Sequence, residues 1–152
     1  MKTSAKKTKI GTVEITEDNG FIVKVLLCAK EQNQNAETPL LQEAFQQLEE
    51  YLNGKRKSFN LPLNPQGTDF QKKIWKELLN INYAETASYL DIATKTGNPK
   101  ATRATGSACN KNPIPIFIPC HRVIGKNGTL TGFAYGTNLK KYLLDLEQSF
   151  AK

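Results

Sequence analysis

The 152-residue chain has one histidine, three cysteines and no Cys-x-x-Cys pair, and each shortage excludes something. A lone histidine without paired cysteines removes most zinc-site patterns, so no metal is expected. A small, odd number of cysteines argues against a disulfide framework and for a reducing compartment. No apolar run approaches the ~20 residues needed to span a bilayer. No amphipathic segment joins cationic charge to a broad apolar face, so a membrane partner is not expected either. Met1 to Lys9 is charged but has no apolar stretch behind it, which predicts no secretion signal; residues 1 to 8, polar and lysine-rich, are expected to fray. Acidic residues are missing from one long region. Between Ile92 and Leu144 stand Lys95, Lys100, Arg103, Lys111, Arg122, Lys126, Lys140 and Lys141, without one Asp or Glu.

What is present is a 39% hydrophobic chain of net charge +7, long enough for one compact domain or two small ones. Residues 1–64 carry nine basic and eight acidic side chains, residues 65–152 twelve and six. A basic run is commonly a solvated face. One uninterrupted by acids projects the positive field that docking on phosphates requires, which favours a nucleic-acid partner.

The spacing predicts a β-hairpin from Ile10–Thr16 and Phe21–Cys28 around Asp18-Asn19-Gly20, with Cys28 as a buried strand residue. A polar loop from Glu31 to Glu37 leads to a helix capped by Thr38, with Pro39 in its first turn and Leu41, Phe45, Leu48 and Leu52 on one face. Ser58 to Leu63 reads as a further short strand. Asn64-Pro65-Gln66-Gly67 punctuates the chain and divides a first domain, 1–64, from a second, 65–152. The second opens on a capping box, Thr68-x-x-Gln71, with Phe70, Ile74, Trp75, Leu78 and Leu79 as core. Ser88 to Lys95 reads as a short helix closed by Gly97. Asn98-Pro99 then opens another, Lys100 to Cys109, and the pair fits a helix-turn-helix. The second helix is made mostly of Ala, Thr, Gly and Ser, small enough to lie close to another surface, with Arg103 projecting from it.

Asn112 to Arg122 is apolar and carries prolines at 113, 115 and 119. These forbid a helix and remove ladder donors, which predicts a rigid, extended segment. It ends in Pro119-Cys120-His121-Arg122. A thiol is the strongest nucleophile among neutral side chains, but near its free pKa of about 8.5 it needs a base or cation beside it. His121 and Arg122 are adjacent.

The string Ile118-Pro119-Cys120-His121-Arg122-Val123 resembles the active-site signature of the O6-alkylguanine-DNA alkyltransferases, the methylated-DNA–protein-cysteine methyltransferases. Gly67-Thr68-x-Phe70-Gln71, Ser88-Tyr89, Gly97-Asn98-Pro99-Lys100-Ala101-x-Arg103-Ala104 and Asn112-Pro113-x-Pro115 are similar to that family's motifs in order and spacing. The resemblance is close over residues 67–147 and general before them. It implies an α+β protein: a small N-terminal α/β domain with a short antiparallel, ribonuclease H-like sheet, then a mainly helical domain containing the helix-turn-helix. It implies a cytoplasmic monomer, nuclear if eukaryotic, that needs no cofactor and repairs O6-alkylguanine, and O4-alkylthymine, in double-stranded DNA.

By the same resemblance, Cys120 is the alkyl acceptor, His121 its base acting through a water, Glu147 the carboxylate that orients and charges His121, Tyr89 a proton donor to the flipped base, and Asn112 a brace. Arg103 fills the space the base leaves. Ala101, Thr102, Gly106, Ser88, Lys100 and Arg122 meet the DNA, and the pocket is lined by Tyr89, Cys109, Val123, Leu130, Ala134 and Tyr135. Tyr135 stands where members tolerant of bulky substrates have glycine, so a tight, methyl-preferring pocket is expected. Asn82 and Ala84 replace an Ile-Pro-x-Gly-type turn, a change expected to leave the chemistry untouched. Three other readings compete: a lesion binder without transfer, a helix-turn-helix regulator and, more distantly, a thiol hydrolase.

Overall fold

A computed structural model describes residues 1–30, 35–130 and 132–151 of the chain. They divide into two compact units, Met1–Gln66 and Gly67–Lys152. Of the polar loop read at Glu31 to Glu37, the first four residues lie outside the described part.

The first unit is a three-stranded antiparallel sheet in the order β1 (Lys2–Thr8), β2 (Gly11–Asp18), β3 (Phe21–Leu26), with helix α1 (Pro39–Leu52) beside it. Alternation along β2 turns Val13 and Ile15 inward, where Leu41, Ala44, Phe45 and Leu48 of α1 are also buried. Thr38 caps α1 by accepting the Leu41 amide at 3.1 Å. Three expectations are corrected here. Residues 2–8 do not fray: they pair with β2 from Lys2↔Glu17 to Thr8↔Gly11 and bury Ser4. A lysine-rich strand is acceptable at a sheet edge, where its charges stay wet and discourage further pairing. Cys28 lies past the end of β3, exposed and at φ 55°. The segment from Ser58 makes one bridge, Leu63 with Ile22, because Pro62 has no amide to continue a ladder.

The second unit contains α2 (Asp69–Leu78), β4 (Ala87–Ser88), α3 (Tyr89–Lys95), α4 (Thr102–Asn110), a 3-10 turn at Cys120–Arg122, β5 (Val123–Ile124), a further short turn at Lys126–Gly128 and α5 (Thr137–Ser149). The Thr68–Gln71 capping box forms in both directions, at 3.1 and 2.9 Å. Ile74, Trp75 and Leu78 face the core, whereas Phe70 and Leu79, also expected inside, are exposed. Both lie at the margins of the buried stripe, Leu79 already in the C-cap position. The indole of Trp75 donates to the Ala108 carbonyl at 2.8 Å, pinning α2 to α4.

That pin also explains Gly67. A Cβ there would sit 2.5 Å from Trp75 Cη2 and 2.6 Å from Gln71 Oε1. Gly67→Ala is therefore expected to cost about 1–3 kcal/mol by overpacking a fixed indole, read as a lower midpoint in thermal or urea unfolding.

Helices α3 and α4 form the helix-turn-helix. Ser88 and Asp91 make the N-terminal capping box of α3, and Gly97 at φ 92° ends it. α4 starts later than expected, at Thr102, with Ala101 as a cap that makes no side-chain bond. Asn98 does not cap it; its carbonyl accepts the Ala101 amide in a separate turn. Among the described residues, no helix is long and apolar enough to cross a membrane.

Candidate active site

The proline-rich run does not extend. Ile118 donates to the Ile114 carbonyl at 2.9 Å, Ile116 takes φ 73°, and residues 114 to 123 are buried. Prolines exclude helix and ladder but not turns, and burying Ile114, Ile116, Phe117 and Ile118 folds the run back on itself. Asn112 fixes this loop: its side-chain nitrogen donates to the Ile118 carbonyl at 2.9 Å and its oxygen accepts the Ile114 amide at 3.0 Å. Cys120 then enters a 3-10 turn, so Cys120 and His121 are not alternating residues of a strand.

The parallel pairing Ala87↔Val123 and Ser88↔Ile124 joins the start of α3 to the end of this turn. It brings Tyr89 to the same region as Cys120 and Cys109, close enough that both sulfurs act on the phenol electrostatically. Gly106 of α4 gives its bare face to the Tyr89 ring: a Cβ there would lie 3.8 Å from the ring. A Cβ on Gly132 would lie 3.0 Å from the Tyr89 hydroxyl.

Helix α5 supplies two buried charges on one face. Lys140, Leu143 and Glu147 recur at helical spacing and all are fully buried. Lys140 Nζ donates to the Val123 carbonyl and lies 5.8 Å from the Tyr89 ring centre. The notional surface cation is thus an internal one, beside Cys120 and Cys109. Sequence reasoning missed it, although the i, i+3, i+7 register with Leu143 and Glu147 carries the signal.

Glu147 is the centre of a second cluster. His121 Nε2 lies 2.6 Å from Glu147 Oε2. Arg122 Nε and Nη2 donate to the two carboxylate oxygens at 2.9 and 3.1 Å, and Nη1 donates to the Ile81 carbonyl at 2.7 Å. Arg122 was expected to meet the DNA; it is buried instead, because the desolvated carboxylate requires a countercharge. The Ala84 amide also donates to Glu147 Oε1, at 3.0 Å, so the altered turn before Ser88 does touch this site.

The protonation states follow. Burial alone would raise the Glu147 carboxyl, but the bonds and charges of His121 and Arg122 outweigh it and bring it down to about 2. An ionised carboxylate only accepts, so His121 Nε2 carries the hydrogen and Nδ1 is the basic nitrogen. Burial lowers the His121 pKa, against the pull of Glu147 and with the help of Arg122 and Lys140. Burial pushes the Cys120 thiol up to about 11, with the Asn112 hydrogen bond and the Lys140 charge acting the other way. Burial and the neighbouring Cys120 push Cys109 up to about 12. Burial also raises Tyr89 to about 12, keeping it a proton donor. At rest both thiols are therefore protonated.

Stability should depend on pH accordingly. Glu147 has a depressed folded pKa, so its contribution is complete above the ordinary carboxylate value and is lost as pH falls from 4.5 toward 2. The difference corresponds to about 3 kcal/mol. His121, buried and neutral, adds a penalty that begins as pH falls below 6.5, where the unfolded chain takes up a proton more readily. Thermal midpoints are expected to fall below pH 6.5 and more steeply below 4.5, with Glu147→Gln flattening the lower part.

The other expected site residues are spread around this centre. Arg103 and Lys100 are exposed on or just before α4; Ala101, Thr102, Ser88 and Leu130 are half-buried. Val123 is fully buried in β5, and Ala134 is exposed. Tyr135 is half-buried, its ring edge-on to Phe133 at 6.0 Å. Ser88, Tyr89, Leu90, Thr102 and Lys126 line one concavity of about 280 Å³.

A buried thiol adjacent in the chain to a histidine–carboxylate pair, in a unit containing a helix-turn-helix, is the arrangement of a DNA-binding protein built around a cysteine. Residues 69–149 match the model of the 6-O-methylguanine DNA methyltransferase DNA-binding domain, and residues 1–65 that of the same family's ribonuclease-like domain. The chain belongs to this family. It is 48% identical to the constitutive methylated-DNA–protein-cysteine methyltransferase of Bacillus subtilis, over 93% of this chain and 92% of that one. It is 56% identical to the methylated-DNA–protein-cysteine methyltransferase of Methanosarcina barkeri, over 70% and 68%. The crystal structure of Mycobacterium tuberculosis OGT in complex with DNA superposes with a TM-score of 0.91 at 37% identity, covering 99% of this chain and 94% of that one.

Proposed function

We propose that the protein repairs DNA by moving the alkyl group of O6-alkylguanine onto its own Cys120. The observation that carries this reading is the buried Cys120, next in the chain to the His121–Glu147 pair at 2.6 Å, inside the unit matched by the family's DNA-binding domain. Each step has a residue fitted to it. Exposed Lys100 attracts the backbone phosphates, and Arg103 enters the duplex as the damaged base leaves the stack. The base lodges beside Tyr89, whose hydroxyl stays protonated and can offer its hydrogen to a ring nitrogen of the departing guanine.

The transfer is an in-line displacement. His121 Nδ1 takes the Cys120 proton through a water, sulfur bonds to the alkyl carbon, and the carbon–O6 bond breaks with its electron pair going to guanine. The thiol's high resting pKa keeps it inert until the base is in place, and Lys140 stabilises the thiolate as it forms. The product is a thioether, which contains no hydrolysable bond, so each molecule acts once. No step needs a cofactor, and all of these groups come from Gly67–Lys152 of one chain, which supports action as a monomer.

The half-buried Tyr135, braced by Phe133, supports a preference for methyl over bulky groups. Purified protein is expected to react slowly with O6-benzylguanine and faster after Tyr135→Gly, measured as loss of titratable Cys120. The functional reading is tested by mixing stoichiometric protein with O6-methylguanine duplex DNA. One methyl on Cys120 supports it; tight lesion binding at unchanged mass would favour a lesion binder, and lesion-independent binding to one sequence a regulator.

A further inference from the structure

Arg122 and the turn before Ser88 stand outside the transfer steps, yet both converge on Glu147. Glu85 closes that turn by donating to the Asn82 carbonyl at 3.0 Å, leaving Ala84 at φ 64°. In this left-handed conformation an L-alanine is strained, and such strain persists where surrounding bonds hold it. Here α5 holds it at both ends of the residue: the Ala84 amide donates to Glu147 Oε1 at 3.0 Å, and Gln148 Nε2 donates to the Ala84 carbonyl at 2.7 Å. Arg122 meets the same carboxylate through Nε and Nη2, and its fork is anchored by Nη1 on the Ile81 carbonyl and by the Tyr83 ring, 5.7 Å away. Oε1 thus accepts from Ala84 and Arg122, and Oε2 from Arg122 and His121.

We propose that Arg122 and the Ala84 turn are positioning elements for the transfer: they occupy and balance the Glu147 carboxylate so that it fixes the His121 ring and its tautomer without holding a proton on it. This rests on the reading of Cys120 as acceptor and His121 as base. A carboxylate alone against a buried imidazole favours the imidazolium, which cannot accept the thiol proton. A guanidinium on the far side of the same carboxylate offsets that attraction. The charged and titratable groups acting on His121 are Glu147 and Lys140 from α5 and Arg122 from the 3-10 turn, with Cys120 adjacent in the chain. Tyr83 reaches the cluster through Arg122 and Glu147. Glu147 therefore orients His121 more than it charges it.

His121 is the only histidine in the chain, so ring-nitrogen NMR of 15N-histidine-labelled protein reads this site alone. The wild type is expected to show the Nε2–H tautomer and to stay neutral well below pH 6.5. Arg122→Met is expected to move the His121 titration up by about one unit or more, tenfold in the protonation equilibrium. The acid limb of the transfer rate on O6-methylguanine DNA should move in the same direction, with Arg122→Lys restoring both in part. An Nδ1–H tautomer in the wild type would overturn the proposal even if Arg122→Met does not fold. So would an Arg122→Met titration like that of the wild type. Failure of the wild type to methylate Cys120 would instead overturn the functional reading, leaving the NMR result to judge the positioning.

Discussion

Glu147→Ala is expected to lose about 3–5 kcal/mol of stability, because it leaves the buried Arg122 guanidinium without its countercharge. It also removes the partner that fixes the His121 ring, so transfer to Cys120 should fall by the ~10²–10⁴-fold that a positioned base supplies. The two losses can be separated. Glu147→Gln keeps the shape and can still accept from Ala84 and Arg122, but its amide can present a donor to His121 and admits the other tautomer. Urea unfolding should place Glu147→Gln between the wild type and Glu147→Ala, while its transfer rate stays close to that of Glu147→Ala. Equal recovery of stability and rate would mean that the carboxylate serves packing alone.

Arg103→Ala should be the largest effect outside the buried centre. Arg103 is exposed on α4 and lies beyond the His121–Glu147 cluster, so its removal should not disturb folding or the thiol. If it stabilises the duplex after base extrusion, a process that costs a few kcal/mol, its loss should slow repair of duplex DNA roughly 10²-fold. Reaction with free O6-methylguanine base, which needs no extrusion, should be unchanged. Lys100→Ala provides the contrast: it should weaken binding to every sequence and reduce the salt slope by about one. An Arg103→Ala protein equally slow on the free base would remove the extrusion role.

Much of this was legible in the sequence for identifiable reasons. Local chemistry announced itself: Thr68 with Gln71 capped α2 as expected, and Gly97 closed α3, although Ser88, read as the first helical residue, is its N-cap. Periodicity worked where burial followed a single stripe, as at Leu41, Phe45 and Leu48. It failed at the stripe's margins, as with Phe70 and Leu79. The misread positions have a common cause, which is that charge and polarity describe a residue but not its partner. Lys140 and Arg122 counted toward a positive surface field and lie inside, each held by a tertiary acceptor far along the chain, Val123 for one and Glu147 and Ile81 for the other. Residues 2–8 read as a fraying end because nothing within the strand reveals that β2 has an edge to offer. The proline-rich run looked extended because proline rules name what is forbidden, whereas the turn at Ile114–Ile118 is decided by what Asn112 and the surrounding core accept. Ala84 contributes through its backbone, which no side-chain reading would single out.

The most direct test of the whole account is the intact mass of the protein after one equivalent of duplex DNA carrying O6-methylguanine, followed by peptide mapping. A single added methyl on Cys120, full restoration of guanine and no second turnover are expected, with the same outcome in Cys109→Ala and none in Cys120→Ala. A methyl found on Cys109 or Cys28, or unchanged mass with the lesion bound, would contradict it.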